Sequence, residues 1–373
     1  MSKTDTQSAL SGLRVCHVGP HLPRRGGVSI QTHLTEDGLR REGAEVHSVD
    51  TILHWLSHPV LLPVRMLLQP LVTACRFVKA ASRSDVIHLQ ICSWWGFLPV
   101  LTCAPINRLF FRKPMVATFH GARGHLFVRK HHWWAVPFLR LIDRIAVVSP
   151  ELESAFEEYG ISARQMNVVI DLSSFRFRER AELAPNFVWV RQFESMYDPM
   201  ATIDVFTAVQ KEFPKATLTM IGAGSMRPDV ERCVAHRSLA GVRFTGILPN
   251  TKLPAEFDKA DIFINTSVND GQPAAVLEAA ASGLPIVTTA AGGIPDMIED
   301  GAEGIILPIG DVDAMVEAII SLLRDPERAR SLSRAARANA ERHGWDAYAA
   351  ELVSFYGIAG ERGAVAAQEK VRS

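Results

Sequence analysis

Short apolar, β-prone runs recur along this chain, and each is followed by a stretch long enough for a helix. Runs at residues 13–19, 45–49, 85–89, 115–119, 145–148 and 167–170 form one series. A second series begins at 187–190 and continues at 216–221, 242–244, 262–264, 286–288 and 304–307. Strands separated by helical lengths pair in parallel through crossovers, with helices covering both faces of the sheet. The pattern predicts an α/β chain with two doubly wound, Rossmann-like domains in tandem and a boundary near residues 172–185. A chain of 373 residues, 47% apolar, has enough material for two cores of ordinary size.

The window from Ala260 to Gly283 says most about function. A strand-like run to Ser267 leads into the turn residues Asp270, Gly271, Gln272 and Pro273, and then into the strong helix formers of 274–281. A parallel strand followed by a helix places that loop at the carboxyl edge of the sheet, where open α/β folds bind ligands. Amides at the start of the helix lack intrahelical partners and face incoming phosphate. Glu278, about one turn into the helix, reaches sugar hydroxyls, and Asp270 in the loop orients a second polyol. Taken singly, Asp270 also reads as a turn residue and Glu278 as an exposed helix acid. A further strand at 285–289 follows, and Gly292, Gly293 and Pro295 open the next helix.

Three other places sit at sheet edges. Gly26 and Gly27 close a loop after the first strand, before a helix expected near Ser29, and paired glycines let backbone approach a ligand. This is not the six-residue dinucleotide fingerprint, so hydride chemistry gains little from it. His120 ends the run at 115–119 and precedes Gly121; lone histidines are more often structural, and the same holds for His88, while His21 stays open. Arg191 ends the first strand of the second series, where a fixed guanidinium pairs well with diphosphate oxygens.

Formal charge balances at zero, which gives no global argument for nucleic acid. Residues 1–172 carry 19 Lys or Arg against 13 Asp or Glu, and residues 173–373 carry 21 against 27. The basic half is thus followed by an acidic one, with the change near the expected boundary. Cysteines 16, 75, 92, 103 and 233 have no metal-ligand spacing and read as buried free thiols of a reducing compartment. The first dozen residues are polar and lack a signal-peptide core, so the expected location is cytoplasmic. Residues 58–80 and 93–111 are apolar, but Arg65, Gln69, Arg76, Lys79 and Asn107 interrupt them, against a membrane span. Residues 123–140 mix cations with aromatics, which suits a membrane interface or an acidic or lipid-linked acceptor; a segment packed on its own domain is the equal alternative.

The carboxylate pair Asp270 and Glu278, with seven residues between them, the strand after it and the Gly292–Gly293 loop together resemble the carboxy-terminal half of family-four retaining glycosyltransferases. These are group 1 enzymes of the glycosyltransferase B (GT-B) fold. The resemblance implies two Rossmann-like domains facing a cleft: 13–175 binding the acceptor and 176–344 the nucleotide sugar. It also implies a crossover helix at 345–359 returning to the first domain; residues 1–12 are expected as a disordered tail and 360–373 as a second tail. By the same resemblance Glu278 holds the ribose hydroxyls, Asp270 the hexose hydroxyls, and the amides of Val276 and Leu277 lie near the diphosphate. Gly26, Gly27 and Arg191 meet the diphosphate, and His120 meets the donor sugar, making His120, Arg191 and Asp270 the catalytic set.

Three departures from the family pattern stand out. Met196 occupies the place of a lysine five residues after the arginine, the Asn-Gly turn before Asp171 and Leu172 is missing, and Asp270 replaces the commoner glutamate. No Asp-x-Asp pair follows an early strand, so helix dipoles and arginine are expected in place of a metal, with no cofactor. The expected function is retaining transfer of a hexose from a nucleotide-diphosphate sugar to a glycan or lipid-linked glycan, in cell-surface polysaccharide synthesis at the inner membrane face. Alternatives are a nucleotide-sugar 2-epimerase of the same fold, or a non-catalytic binding protein derived from a transferase, for which Met196 is the best argument.

Overall fold

A computed structural model describes residues 3–22, 26–53, 62–121, 123–180 and 182–357. The chain divides into two compact units, one of Met1–Val169 with Trp345–Ser373 and the other of Ile170–Gly344.

In the first unit, strands β1 (Arg14–Gly19), β2 (Glu45–Asp50), β3 (Val86–Cys92), β4 (Met115–His120), β5 (Arg144–Val147) and β6 (Ala163–Gln165) form one parallel sheet in the order β2-β1-β3-β4-β5-β6. Helices α1 (Lys3–Leu10), α2 (Gly27–Arg41), α3 (Leu62–Ala81), α4 (Leu98–Ile106), α5 (Gly124–Leu139) and α6 (Pro150–Glu157) connect and flank it. All six residues of β4 are buried, as expected of a central strand covered on both faces. The start of α6 shows why helices begin where they do: Pro150 is pre-set for the first turn, and the Ser149 hydroxyl accepts the Leu152 amide at 3.4 Å.

The second unit repeats the plan. Strands β7 (Asn186–Val190), β8 (Thr217–Ile221), β9 (Val242–Gly246), β10 (Ile262–Asn265), β11 (Ile286–Thr289) and β12 (Ile305–Leu307) pair in parallel in the order β12-β11-β10-β7-β8-β9. Its helices are α7 (Pro199–Glu212), α8 (Arg227–His236), α9 (Leu253–Lys259), α10 (Ala274–Ala281), α11 (Ile294–Met297), α12 (Val312–Arg324) and α13 (Pro326–Glu341). The last helix, α14 (Trp345–Tyr356), belongs to the first unit, where Tyr348, Leu352, Val353 and Phe355 are buried against Leu10, Val15, Leu39, Val86 and Val116.

Four expectations change. Residues 3–10 are helical rather than a disordered tail: Leu10 is fully buried in the cluster with α14, and Lys3 pairs with Asp346 at 2.8 Å. The strand expected at 167–170 lies earlier, at β6. Val169 is buried without being in a strand, because the Gln31 side chain takes both its backbone groups, Nε2 donating to its carbonyl at 2.9 Å and Oε1 accepting its amide at 3.0 Å. The unit boundary falls at 169/170 instead of 175/176, since the Ile170 amide bonds the His343 carbonyl and Phe175 packs on Phe257. Cys75 is exposed, unlike the buried thiols of Cys16 and Cys103. The tail expected at 360–373 lies outside the described residues, as do Pro23, Arg24 and Arg25 of the glycine loop and 58–61 of the apolar stretch.

Candidate functional site

The order of the second sheet decides where its chemistry gathers. The chain enters in the middle at β7, continues to β8 on one side, and later places β10 on the other. Loops leaving β7 and β10 therefore diverge at a topological switch point, the usual binding crevice of such sheets. Arg191 directly follows β7, and Asp270 lies in the loop after β10.

The two meet there. Arg191 Nε lies 3.2 Å from Asp270 Oδ2, with side-chain exposures of 7% and 14%. This contact is an ion pair without hydrogen-bond alignment: among the described residues Nε and Nη2 have no hydrogen-bond partner, while Nη1 donates to the Val190 carbonyl at 2.8 Å. Buried guanidinium N–H groups left open cost free energy unless an acceptor fills the space, so the geometry is that of an anion-binding arginine. Asp270 accepts the Gly271 amide at 3.0 Å and the Ser267 hydroxyl at 3.3 Å. Burial pushes its pKa upward against the pull of Arg191.

Two glycines hold these residues in place. Gly222 directly follows β8 at φ +141, and Gly292 sits at φ +54, both in the region that favours glycine. A Cβ at Gly222 would stand 1.9 Å from the Arg191 carbonyl, and one at Gly292 the same distance from the Asp270 carbonyl. The Asp270 carbonyl also accepts the Gly293 amide at 3.1 Å, so the glycine pair after β11 braces the Asp270 loop.

Glu278 is buried on α10 and makes no hydrogen bond or ion pair through its carboxylate among the described residues. Burial raises its pKa to about 7, Arg191 opposing and Asp171 adding to the rise. No side chain caps the N-terminus of α10, whereas Asp198, Asp311 and Asp325 cap α7, α12 and α13. The Val276 amide donates to the Pro273 carbonyl at 3.0 Å, so it is not an open donor; Val276 and Leu277 bury their side chains in the core. Met196 anchors the site through its backbone, its carbonyl accepting the Val268 and Asn269 amides at 2.8 and 3.2 Å. Arg191, Asp270 and Glu278 are thus brought together in this unit, and Met196 lies against their loop.

His120, Gly26 and Gly27 belong to the first unit and have surroundings of their own. Gly26 caps α2 with extended backbone (φ −176), and a Cβ on Gly26 or Gly27 would meet nothing within 4 Å. Among the described residues, no crowding demands glycine there. His120 is buried at the end of β4, with Nε2 2.5 Å from Gln90 Oε1. Burial depresses its pKa to about 4.

Behind it lies a buried polar network that sequence reasoning missed. Gln90 Nε2 is 3.1 Å from His17 Nε2, and His17 Nδ1 is 3.1 Å from Glu36 Oε1. Glu36 also meets His21 Nε2 at 2.9 Å, Arg40 Nη2 at 2.9 Å and the Ser48 hydroxyl at 2.6 Å. His88 sits between Thr118 Oγ1 and the Tyr356 hydroxyl, at 2.9 and 3.0 Å, as a packed structural histidine. The available signal was the set of polar residues His17, His88 and Gln90 inside strands otherwise apolar; His17 and His88 face each other in register across β1 and β3.

Within residues 123–140, α5 (Gly124–Leu139) is a helix kinked at His131. Trp134 packs on Phe97 and Phe127, while Trp133 and Leu126 are exposed. A stronger apolar surface lies on α3, where Val64, Leu67, Leu71, Cys75 and Val78 are exposed at helical spacing beside Arg76 and Lys79. Among the described residues, no helix is long and apolar enough to cross a membrane.

Residues 184–325 match the family described as Glycosyl transferases group 1. A GDP-mannose-dependent alpha-(1-6)-phosphatidylinositol monomannoside mannosyltransferase of Mycolicibacterium smegmatis is 27% identical over 359 residues, 84% of this chain and 90% of that protein. Over residues 184–325 the chain is similar to the group 1 glycosyl transferases. A sulfoquinovosyl transferase of Arabidopsis thaliana shares 32% identity over 149 residues, 39% of this chain and 29% of the plant protein. The chain therefore spans less than a third of the length of the plant relative. A sucrose-phosphate synthase from Thermosynechococcus elongatus superposes with a TM-score of 0.74 at 18% identity, over 95% of this chain and 100% of that one, which shows the GT-B fold.

Proposed function

We propose that this chain transfers a hexose, with retention of configuration and without a divalent ion, from a nucleotide-diphosphate sugar to a glycan or lipid-linked acceptor. The observation that carries the reading is the unpartnered pair of buried N–H groups on Arg191, beside Asp270 and the unpaired Glu278 carboxylate. Arg191 and the uncapped start of α10 offer donors to a diphosphate. Glu278 accepts from ribose hydroxyls and Asp270 from hydroxyls of the sugar. Fixed donors aimed at the leaving diphosphate stabilise charge that grows in the transition state, the role an ion would otherwise fill. His120 is assigned to the donor sugar.

The mannosyltransferase relative acts on a phosphatidylinositol mannoside, which supports a lipid-linked acceptor here. The exposed apolar stripe of α3, flanked by cations and with no acidic residue from 62 to 81, suits the surface of an anionic bilayer, with α5 contributing Trp133 and Leu126.

Thermal-shift measurements with each nucleoside diphosphate in EDTA test the donor site, because a ligand that binds only the folded state raises Tm. One diphosphate should stabilise the wild type and leave Glu278→Ala and Arg191→Met unshifted. No shift from any diphosphate would overturn the donor assignment and favour a non-catalytic protein.

A further inference from the structure

The hydrogen bonds around His120 fix more than its position. Glu36 is the starting point: its four close partners, His17, His21, Arg40 and Ser48, all donate to it. Burial opposes the charge, but the bonds from His17 and His21 outweigh it and hold the carboxylate well below the usual range. With His17 neutral, an acceptor-only Glu36 places its one ring proton on Nδ1 and leaves Nε2 as a lone pair. That lone pair must receive an N–H from Gln90, so the Gln90 amide is oriented with Nε2 toward His17 and Oε1 toward His120. The amide oxygen can only accept. His120 therefore carries its proton on Nε2, and its Nδ1, which makes no hydrogen bond among the described residues, is an unprotonated acceptor.

We propose that Glu36, His17 and Gln90 form a relay of positioning residues that fixes the tautomer of His120, so that Nδ1 accepts a hydrogen bond from a hydroxyl of the bound sugar. The sugar contact rests on the function proposed above, whereas the relay itself does not. Each member is buried, and each link has one chemical sense once Glu36 is ionised and His17 is neutral. His88, the nearest other imidazole, stands outside the chain of command: its Nε2 already takes the Thr118 hydroxyl at 2.9 Å, against 3.4 Å to Gln90 Nε2.

Long-range 1H–15N NMR on protein labelled with 15N-histidine reads the tautomers directly. The wild type should show His120 as the Nε2–H form and His17 as the Nδ1–H form. In Gln90→Leu, His120 should lose its single tautomer, and kcat with GDP-mannose or UDP-glucose as donor should fall by about 100-fold, the lower end of what an orienting or proton-handling side chain contributes. Gln90→Glu, which still presents an acceptor to His120, should keep the Nε2–H form and recover part of the rate. An Nδ1–H tautomer at wild-type His120, or an unchanged tautomer in Gln90→Leu, would overturn the relay. If the tautomers are as stated but neither sugar nucleotide nor any other turns over, the relay stands and the sugar contact falls with the transferase reading.

Discussion

Glu278 is 6% exposed, its carboxylate is unpaired, and burial lifts its pKa from the ordinary 4.5 to about 7. The folded state thus holds this proton more tightly than the unfolded chain does. Its contribution to stability is fully present below pH 4.5 and is lost as the pH rises to about 7. Glu278→Gln removes that loss and should raise Tm at pH 8 while abolishing nucleotide binding, a pairing expected of a residue kept for function at the expense of stability. In the proposed donor site ribose hydroxyls donate to the ionised form, so nucleoside diphosphate affinity in the wild type should weaken as pH falls below about 7, and calorimetry near pH 6 should detect proton release on binding. Gly292→Ala places a Cβ against the Asp270 carbonyl in left-handed backbone; we expect about 2 kcal/mol lower stability and loss of donor affinity by denaturation and binding assays. Asp270, Glu278 and Arg191 were legible because spacing and strand ends locate them in the chain. Gln90, His17 and Glu36 were not, because their meaning lies in contacts between β1, α2 and β3 that no local pattern records.

Elements are held here by single side chains that replace missing backbone partners. Arg180 is 5% exposed and donates to the carbonyls of Phe257, Ala260, Ser282 and Gly283, tying the ends of α9 and α10 together. Burial lowers its pKa to about 10. Arg180→Met removes these bonds and the 3.4 Å ion pair with Asp261, and should cost about 3 kcal/mol in urea denaturation, with the slope unchanged. Gln31 performs the same service for Val169, and it explains why the apolar run at 167–170 misled as a strand: the segment is as buried and as bonded as one, but by a side chain. The remaining strands were readable from composition alone, since a parallel strand covered on both faces has few alternatives to a continuous apolar run. On α3, Leu67→Glu with Leu71→Glu should abolish sedimentation with phosphatidylglycerol vesicles and leave Tm unchanged, because both side chains are more than half exposed.

At the scale of the whole molecule, the second unit is continuous in sequence and the first is not. Residues 170–344 should unfold cooperatively as an isolated fragment. Residues 1–169 alone lack the buried face of α14, with Leu352, Phe355 and the Tyr356 hydroxyl on His88, and should bind ANS until a peptide of residues 345–357 is added. The crossover helix was visible in the sequence as an amphipathic stretch near the end, although its dependence on α1 was not: Leu10 is one apolar residue in a polar leader, too little pattern to mark a helix. Discontinuity also has a consequence in time. On the ribosome, the strands of the first unit emerge early but wait for α14 until residues 170–344 have been made, roughly 10–35 s at ordinary elongation rates. Throughout that interval a nearly complete parallel sheet stays short of its last covering helix, which makes the nascent chain a client for chaperones at its amino-terminal half and lets the later-synthesised unit finish folding first.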